Sequence, residues 1–253
     1  MHQPGESNAH TLRDWLQTTR KAVVFTGAGI STESGIPDFR SPNGIWSKTT
    51  PIQYDEFVRF EESRREAWRR KFIVDEDIVR AEPNAGHRAV ASLVQRGVVQ
   101  CVITQNIDGL HQRSGVPEER LVELHGNTTY ATCLSCNKRH ELAPIREAFL
   151  GEDKLPVCDD CGGMVKTATV SFGQSMPEAA MHIAEEATLD CDLFLAIGSS
   201  LVVYPAAGFP ILAKRNGARL VILNRESTDL DQMADLVLNA EIGDTMRTAT
   251  GAN

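Results

Sequence analysis

Short, largely apolar runs recur along the chain, and their length restricts the fold more than any other feature. Five of them cover residues 22–26, 98–104, 191–197, 218–223 and 235–238. Runs of this length without strict alternation are typical of strands buried on both faces of a parallel sheet. A helical pattern over residues 11–19 precedes the first run, and others lie between runs, over residues 85–96, 177–188 and 205–216. Strands alternating with helices predict a doubly wound, Rossmann-like α/β sheet.

Two stretches interrupt this alternation. Residues 45–79 are rich in charged and aromatic side chains, which favours a helical insertion. Residues 129–166 hold four of the six cysteines and indicate a separate small zinc-binding module. The predicted unit runs over residues 10–250, and its Rossmann-like part is then left with residues 10–44, 80–128 and 167–250.

The clearest chemical signal is a double Cys-x-x-Cys pattern, formed by Cys133 with Cys136 and by Cys158 with Cys161. Two such knuckles can converge on one tetrahedral structural zinc ion. A four-thiolate site is closed, so the metal would hold the fold and do no chemistry. The alternatives are four unrelated thiols or a redox pair, which would usually need only one Cys-x-x-Cys. The other two cysteines lie in apolar runs and are expected in the core.

The charge balance and the absence of long apolar runs restrict the partners. Acidic residues number 34 and lysine plus arginine 26, so the net charge is −8. A general nucleic-acid binder would more often be basic, so we expect no direct nucleic-acid contact. No run approaches the ~18 apolar residues of a membrane span, and residues 1–11 do not resemble a signal peptide. We therefore expect a cytoplasmic protein without membrane contact, and we take a monomer as the default.

A glycine turn, Gly27-Ala28-Gly29, directly follows the first apolar run. Glycines at this place let the backbone approach a pyrophosphate closely. The spacing departs from the G-x-G-x-x-G pattern because the next glycine is Gly35. A glycine-rich turn without a ligand therefore remains the alternative for this motif taken alone.

Polar residues also follow the second run, where Asn106 and Asp108 stand just past the strand. Ligands of open α/β sheets bind at the carboxyl ends of the strands, so both side chains are candidates. A plain Asn-x-Asp-Gly turn is the alternative.

Three longer motifs resemble signatures of the sirtuins, the NAD-dependent protein deacylases. They are GAGISTESGIPDFR at residues 27–40, TQNIDGLH at 104–111 and ELHG at 123–126, the last followed at once by the cysteine pairs. The resemblance extends over about residues 12–246, nearly the whole chain. It implies NAD as co-substrate, one structural zinc ion, and acyl-lysine segments of other proteins as partners.

The reaction implied by the resemblance joins the acyl group to ADP-ribose. The acyl-lysine carbonyl oxygen attacks the nicotinamide ribose, and the products are lysine, nicotinamide and O-acyl-ADP-ribose. His125 is the implied base, and Asn106 is implied to orient a ribose hydroxyl or a water. Asp108 and the backbone of Ile107 are implied to contact the nicotinamide carboxamide, while Phe39 would cover that subsite and Arg40 would pair with phosphate.

The other implied NAD contacts follow the glycine turn and the later strands. They are Gly27, Ala28, Gly29, Gln105, Gly198, Ser199, Ser200, Asn224, Arg225, Glu226 and Ile242. The implied substrate contacts lie on one segment that pairs with an extended peptide, formed by Val170, Ser171, Phe172 and Gly173. This segment departs from the common family pattern at Ser171 and Gln174, which puts the peptide preference in doubt.

The acyl preference follows from one absent residue. Relatives that favour acidic acyl groups carry a Tyr-x-x-Arg pair in the helical insertion, and residues 67–72 here contain no tyrosine. We therefore expect acetyl or another uncharged acyl group. Two other functions remain alternatives: NAD cleavage as a hydrolase or ADP-ribosyltransferase, and a non-catalytic NAD-sensing or zinc-ribbon module.

Overall fold

The computed structural model describes residues 4–38 and 50–251, and its strands form two sheets. The strands of this part of the chain are β1 (Ala22–Thr26), β2 (Val99–Thr104), β3 (Leu121–Glu123), β4 (Gly126–Cys133), β5 (Arg139–Glu141), β6 (Val165–Thr169), β7 (Leu193–Ile197), β8 (Arg219–Leu223) and β9 (Leu236–Leu238). The larger sheet has the order β3-β2-β1-β7-β8-β9, and all its pairs are parallel. The smaller sheet has the antiparallel order β5-β4-β6.

The helices are α1 (Pro4–Thr18), α2 (Tyr54–Arg59), α3 (Glu61–Arg80), α4 (Ala85–Gln95), α5 (Leu110–Arg113), α6 (Leu142–Glu152), α7 (Glu178–Asp190), α8 (Gly208–Arg215) and α9 (Ile242–Thr250). Short 3₁₀ helices cover Ala28–Ser34, Glu118–Arg120 and Asp231–Met233. The first predicted helix begins earlier than expected, at Pro4. Helix α8 begins later, at Gly208, because the preceding residues form turns closed by backbone bonds from Ala207 to Val203 and from Gly208 to Pro205. Within the described ranges, no helix is long and apolar enough to cross a membrane.

Helices cover both faces of the parallel sheet. Side chains of the central strands point alternately to the two faces and join a different apolar cluster on each. Val24 of β1 and Leu195 of β7 join one apolar cluster, which also contains side chains of α1, α4 and α9. Phe25 and Phe194 join a second cluster on the other face, with side chains of α7 and α8. Every residue of β1 and β7 is buried. The prediction of a doubly wound α/β sheet is confirmed.

The helical insertion and the cysteine-bearing segment share a third, smaller core. Trp68 of α3 stacks on Phe72, whose ring lies 5.9 Å from that of Phe149 of α6. Cys133 and Cys158 are buried in the same cluster. We call residues 50–80 and 126–169 the small module and the rest of the described chain the parallel-sheet region. The finer boundaries, 45–79 and 129–166, stay predictions.

Candidate active site

A cavity of about 790 Å³ runs along the carboxyl ends of the parallel strands. Each strand contributes a lining residue just past its end, and in sheet order these are His125, Asn106, Gly27, Gly198, Asn224 and Ala240. Neighbouring strands lie about 4.8 Å apart, so five intervals span about 24 Å. The cavity is therefore shaped for an elongated ligand such as a dinucleotide.

The glycine turn packs backbone against backbone on the turn after β7. The amide of Gly29 donates to the Gly198 carbonyl at 2.8 Å, and that of Gly27 donates to Ile197 at 3.0 Å. A Cβ on either glycine would lie 2.8 Å from atoms of Gly198 or Ser199, too close for any larger residue. The glycines are thus required for this contact, and their own amides already have partners inside the protein.

A buried hydrogen-bond network fixes the side chain of Asn106. Its Nδ2 donates to the Gly27 carbonyl at 3.1 Å and to Ser31 Oγ at 3.2 Å. A carbonyl only accepts, so the amide orientation is determined and Oδ1 is left as an acceptor. Ser31 Oγ donates in turn to Asp108 Oδ2 at 2.7 Å, and Asp108 Oδ1 accepts the amide of Leu110 at 2.9 Å. Burial raises the pKa of Asp108, and these two donors oppose that rise.

His87 contacts the side chain of Ser31 as well. Its Nδ1 lies 3.4 Å from the backbone nitrogen of Asn84, which can only donate. The neutral ring therefore carries its proton on Nε2, which faces Ser31 Oγ at 3.5 Å. Burial, with the adjacent positive charge that His111 would carry, lowers the pKa of His87 to about 3.

His111 supports the backbone of Asn106 through two threonines. Its Nε2 lies 2.9 Å from Thr26 Oγ1, whose hydroxyl donates to Thr104 Oγ1 at 2.8 Å. Thr104 Oγ1 accepts the amide of Asn106 at 3.0 Å. Because the proton of Thr26 is used on Thr104, His111 must donate from Nε2, and burial lowers its pKa to about 4. Its buried Nδ1 has no partner among the residues that the structure describes.

His125 lines the cavity at the β3 end of the row. Its Nδ1 lies 2.9 Å from the carbonyl oxygen of Gln105, which can only accept. The proton of the neutral imidazole is therefore held on Nδ1, and the lone pair is on Nε2. This arrangement selects the tautomer that a general base needs.

The predicted peptide segment follows β6 and forms one wall of the cavity. The amide of Val170 donates to the His125 carbonyl at 2.8 Å, which ties the segment to the candidate base. At the other end, the amide of Tyr54 donates to Phe172 O at 2.9 Å. Phe172 is 41% exposed, and Tyr204, which also lines the cavity, is 65% exposed. Residues 203–205 were not predicted, because a Val-Tyr-Pro turn has no chemical signature.

The far end of the cavity, past β8 and β9, is acidic. Arg225 forms a forked ion pair with Glu241, with both N–O distances 3.2 Å. Glu33 accepts the amide of Gly243 at 2.8 Å and so joins the glycine-turn loop to the start of α9. Asn224 donates from Nδ2 to the Glu226 carbonyl at 2.7 Å. Glu33 and Glu241 were missed by sequence reasoning, although Glu33 lies inside a quoted motif.

Most predicted site residues meet at this cavity. Those that line it are Gly27, Ala28, Gly29, Gln105, Asn106, Ile107, His125, Val170, Ser171, Phe172, Gly173, Gly198, Ser199, Ser200, Asn224, Arg225, Glu226 and Ile242. Asp108 does not line it, because its carboxylate is turned to Ser31 and Leu110. Phe39 and Arg40 lie outside the described residues. The roles of all these residues stay predictions.

The four predicted metal ligands converge in the small module, with all Sγ atoms within 4.8 Å of one another. The Sγ distances are 3.5 Å between Cys133 and Cys161 and 3.6 Å between Cys136 and Cys158. A tetrahedral zinc tetrathiolate with Zn–S bonds of about 2.3 Å places its sulfurs about 3.8 Å apart. The four thiols therefore fit one closed, structural zinc ion.

Fold and sites together define an open α/β protein with a dinucleotide-sized cleft and a four-cysteine metal module. The Sir2 family model matches residues 27–205. A protein from Rhodopseudomonas palustris named NAD-dependent protein deacetylase is 58% identical over 240 residues, with 95% of each chain covered. NAD-dependent protein deacetylase 1 of Bradyrhizobium diazoefficiens is 55% identical, with 95% of this chain and 94% of that protein covered. The chain belongs to the Sir2 family, and the sirtuin resemblance is confirmed.

Solved structures give the same family. One Sir2 enzyme is 38% identical, with a TM-score of 0.84 and 97% of each chain covered. A second, solved with a deacetylated p53 peptide and 3'-O-acetyl-ADP-ribose, is 36% identical, with a TM-score of 0.86 and 96% of this chain and 98% of that chain covered.

Proposed function

We propose that the chain is an NAD-dependent protein-lysine deacetylase that forms lysine, nicotinamide and O-acetyl-ADP-ribose. The observation that carries the proposal is the tautomer of His125, held by Gln105 so that a basic Nε2 stands in a cavity long enough for a dinucleotide. The names of the relatives and the peptide and nucleotide in the solved Sir2 complex support the same reaction.

NAD, when bound, supplies the ribose carbon that accepts the acyl oxygen and the nicotinamide that departs. The chain would hold its phosphates at the junction of the two turns after β1 and β7, with Ser199 and Ser200 as hydroxyl donors. Asn224 and Glu226 would take the adenosine ribose, and Ile242 would lie against adenine. The nicotinamide end then lies beside Asn106 and His125, at the opposite end of the row.

His125 removes a proton from a ribose hydroxyl through Nε2, while Nδ1 keeps its bond to Gln105. Asn106 accepts from a hydroxyl or a water through Oδ1, because both hydrogens of Nδ2 are already donated. Asp108 contributes at least by fixing Ser31, which in turn fixes Asn106. Its predicted contact with the nicotinamide carboxamide would use the same carboxylate that accepts from Ser31 and Leu110.

The acyl-lysine peptide lies extended along residues 170–173 and pairs with their backbone. Backbone pairing accepts many sequences, so selectivity falls to the exposed rings that line the cavity, Phe172 and Tyr204. Acetyl is the proposed acyl group, because residues 67–72 lack the tyrosine expected for acidic acyl groups. We also propose a cytoplasmic location, because a reducing compartment keeps the four thiols free for zinc. A monomeric state and the absence of direct nucleic-acid or membrane partners belong to the same proposal.

Mass spectrometry of an acetyl-lysine peptide incubated with the protein tests the proposal. The expected result is deacetylated peptide together with acetyl-ADP-ribose, and only when NAD is present. Nicotinamide release at the same rate without peptide would contradict the proposal and favour an NAD hydrolase. Absence of both products, with longer acyl chains as well, would favour a non-catalytic module.

A further inference from the structure

The end of the cavity past β8 and β9 is lined mainly by acidic side chains, although the proposed ligand carries two negatively charged phosphates. The described residues that line the cavity include four carboxylates and one basic side chain of permanent charge, and these are Glu33, Asp38, Glu226, Glu241 and Arg225. Three of the carboxylates, those of Glu33, Glu226 and Glu241, lie next to the predicted adenosine site. Any additional phosphate at this end would therefore face an acidic rim.

The positive charge of Arg225 is already engaged. Its Nε and Nη2 face the two oxygens of Glu241, each at 3.2 Å, in the forked geometry that matches a guanidinium to a carboxylate. Arg225 follows β8 and Glu241 directly precedes α9, so the pair joins the loops after two neighbouring strands. In this geometry Glu241 offsets the positive charge of the guanidinium, which weakens the attraction of Arg225 for a phosphate.

The other two glutamates lie beside the same end of the cavity. Glu33 accepts the amide of Gly243 at 2.8 Å, so its carboxylate is fixed at the start of α9. The backbone carbonyl of Glu226 accepts Asn224 Nδ2 at 2.7 Å, which keeps Glu226 next to the residue proposed to bind the adenosine ribose. Glu33, Glu226 and Glu241 form an acidic rim at this end of the cavity, and the carboxylates of Glu33 and Glu241 are held by partners on other segments.

We propose that this acidic rim makes the enzyme select NAD against NADP, with Glu241 as a specificity-determining residue that neutralises Arg225. The inference rests on the proposed function. NADP differs from NAD by a phosphate on the adenosine 2′-hydroxyl, which adds a charge of about −1.5 to −2 near pH 7. Rossmann-like sites that accept this phosphate place an arginine beside it, and sites selective for NAD use a carboxylate.

The test compares kcat/KM for NAD and for NADP with one acetyl-lysine peptide in wild type, Glu241→Gln and Glu241→Lys. Glu185→Gln and Glu185→Lys are the matched controls, because Glu185 is exposed on α7 and does not line the cavity. We expect the NADP/NAD ratio to rise roughly threefold in Glu241→Gln and roughly tenfold in Glu241→Lys. The ratio should stay at the wild-type value in both controls.

Ionic strength gives a second readout that needs no variant. The side chains of Arg225 and Glu241 are 64% and 56% exposed, so their field is open to screening. Raising the salt from about 0.01 M to about 1 M shortens the screening length from about 30 Å to about 3 Å. Selection by charge predicts that the NADP/NAD ratio of the wild type rises over this range.

An NADP/NAD ratio that changes neither with salt nor in Glu241→Gln would overturn the inference and indicate exclusion by shape. Glu241→Gln preserves the side-chain volume, and its melting temperature would show whether it folds. A wild type that fails to deacetylate with NAD would reject the proposed function instead, so the two failures are distinguishable.

Discussion

The parallel-sheet region and the small module achieve stability in different ways. In the parallel-sheet region, β1 and β7 are wholly buried, and two large apolar clusters cover the two faces of the sheet. The small module has one cluster of eight buried residues, and two of these are the cysteines Cys133 and Cys158. A core of that size buries too little apolar surface to be stable alone, which is the usual reason for a structural metal.

The proposed catalytic residues and the metal ligands lie in different regions of the molecule. The proposed base His125 and its neighbour Asn106 lie just past strand ends of the parallel-sheet region, which has its own large core. The zinc ligands hold a module that contributes Pro51, Ile52 and Thr169 to the lining of the cavity. Damage to either region should therefore leave a distinct signature.

Zinc removal is expected to give the largest effect, and it tests directly whether the small module depends on metal for its stability. Structural zinc contributes about 10–16 kcal/mol in small zinc domains, so a chelator should unfold the small module. Trp68 packs in the same core as Cys133 and Cys158, so its fluorescence should change on chelation. Trp68→Phe is the control that assigns the signal. Unchanged fluorescence with zinc removed would mean that the module has a self-sufficient core.

Replacement of His125 tests the parallel-sheet region and should leave the small module intact. His125→Ala should lower kcat by roughly 10²- to 10⁴-fold, because it removes the proposed base. Zinc content and Trp68 fluorescence should stay as in wild type. His182→Ala, on the exposed face of α7, is the matched control. A kcat within about threefold of wild type would exclude His125 as the base.

Acidification should weaken the parallel-sheet region through its buried histidines. Burial lowers the pKa of His111 to about 4, whereas an unfolded histidine titrates near ~6.5. The unfolded chain therefore binds more protons between these values, so the free energy of unfolding falls as the pH is lowered from about 6.5 to about 4. The loss attributable to His111 is about 3 kcal/mol.

Urea unfolding of wild type and His111→Gln at several pH values measures this effect. Glutamine keeps a donor toward Thr26 and cannot titrate, so the variant should lose less stability on acidification. Zinc release at low pH acts on both proteins alike and cancels in the comparison. Identical pH profiles for the two proteins would show that His111 is not buried in its neutral form.

The smallest expected effect concerns the cap of α4. The side-chain oxygen of Asn84 accepts the amides of Gly86 and His87, and its Nδ2 donates to Ile30 O at 2.7 Å. Asn84→Ala should lower the free energy of unfolding by about 1–2 kcal/mol. Gln95→Ala, exposed at the end of the same helix, should change it by less than about 0.5 kcal/mol. Equal effects in the two variants would contradict the cap.

The sequence predicted those features that depend on local order. A strand followed by a polar turn places Asn106 or Asn224 at the same edge of a parallel sheet, whatever the details of packing. The four cysteines were equally readable, because each knuckle is local. The pairing of Glu33 with Gly243 joins positions 210 residues apart and leaves no trace in any motif.

Contacts between segments that are distant in sequence could not be predicted either. Nothing local indicates that Trp68, in the helical insertion, shares a core with zinc ligands far along the chain. The predicted role of Asp108 gave no sign that its carboxylate accepts from Ser31 Oγ and the Leu110 amide in this structure. Which way a buried polar side chain turns depends on donors brought by other segments, and these are known only once the fold is formed.

His125 is covalently next to Gly126, where β4 begins and the chain passes into the small module. Gly126 has φ of 73° and pairs with Thr169, and a Cβ there would meet the Ala168 carbonyl at 2.0 Å. If the module swings about this point by about 10°, Cys133, seven residues or about 23 Å along the strand, travels about 4 Å. The neighbouring Cα of His125, about 3.8 Å from the pivot, moves by less than about 1 Å. The imidazole is also anchored to Gln105 of the other region, so a small rotation of the module about Gly126 would leave the orientation of His125 unchanged.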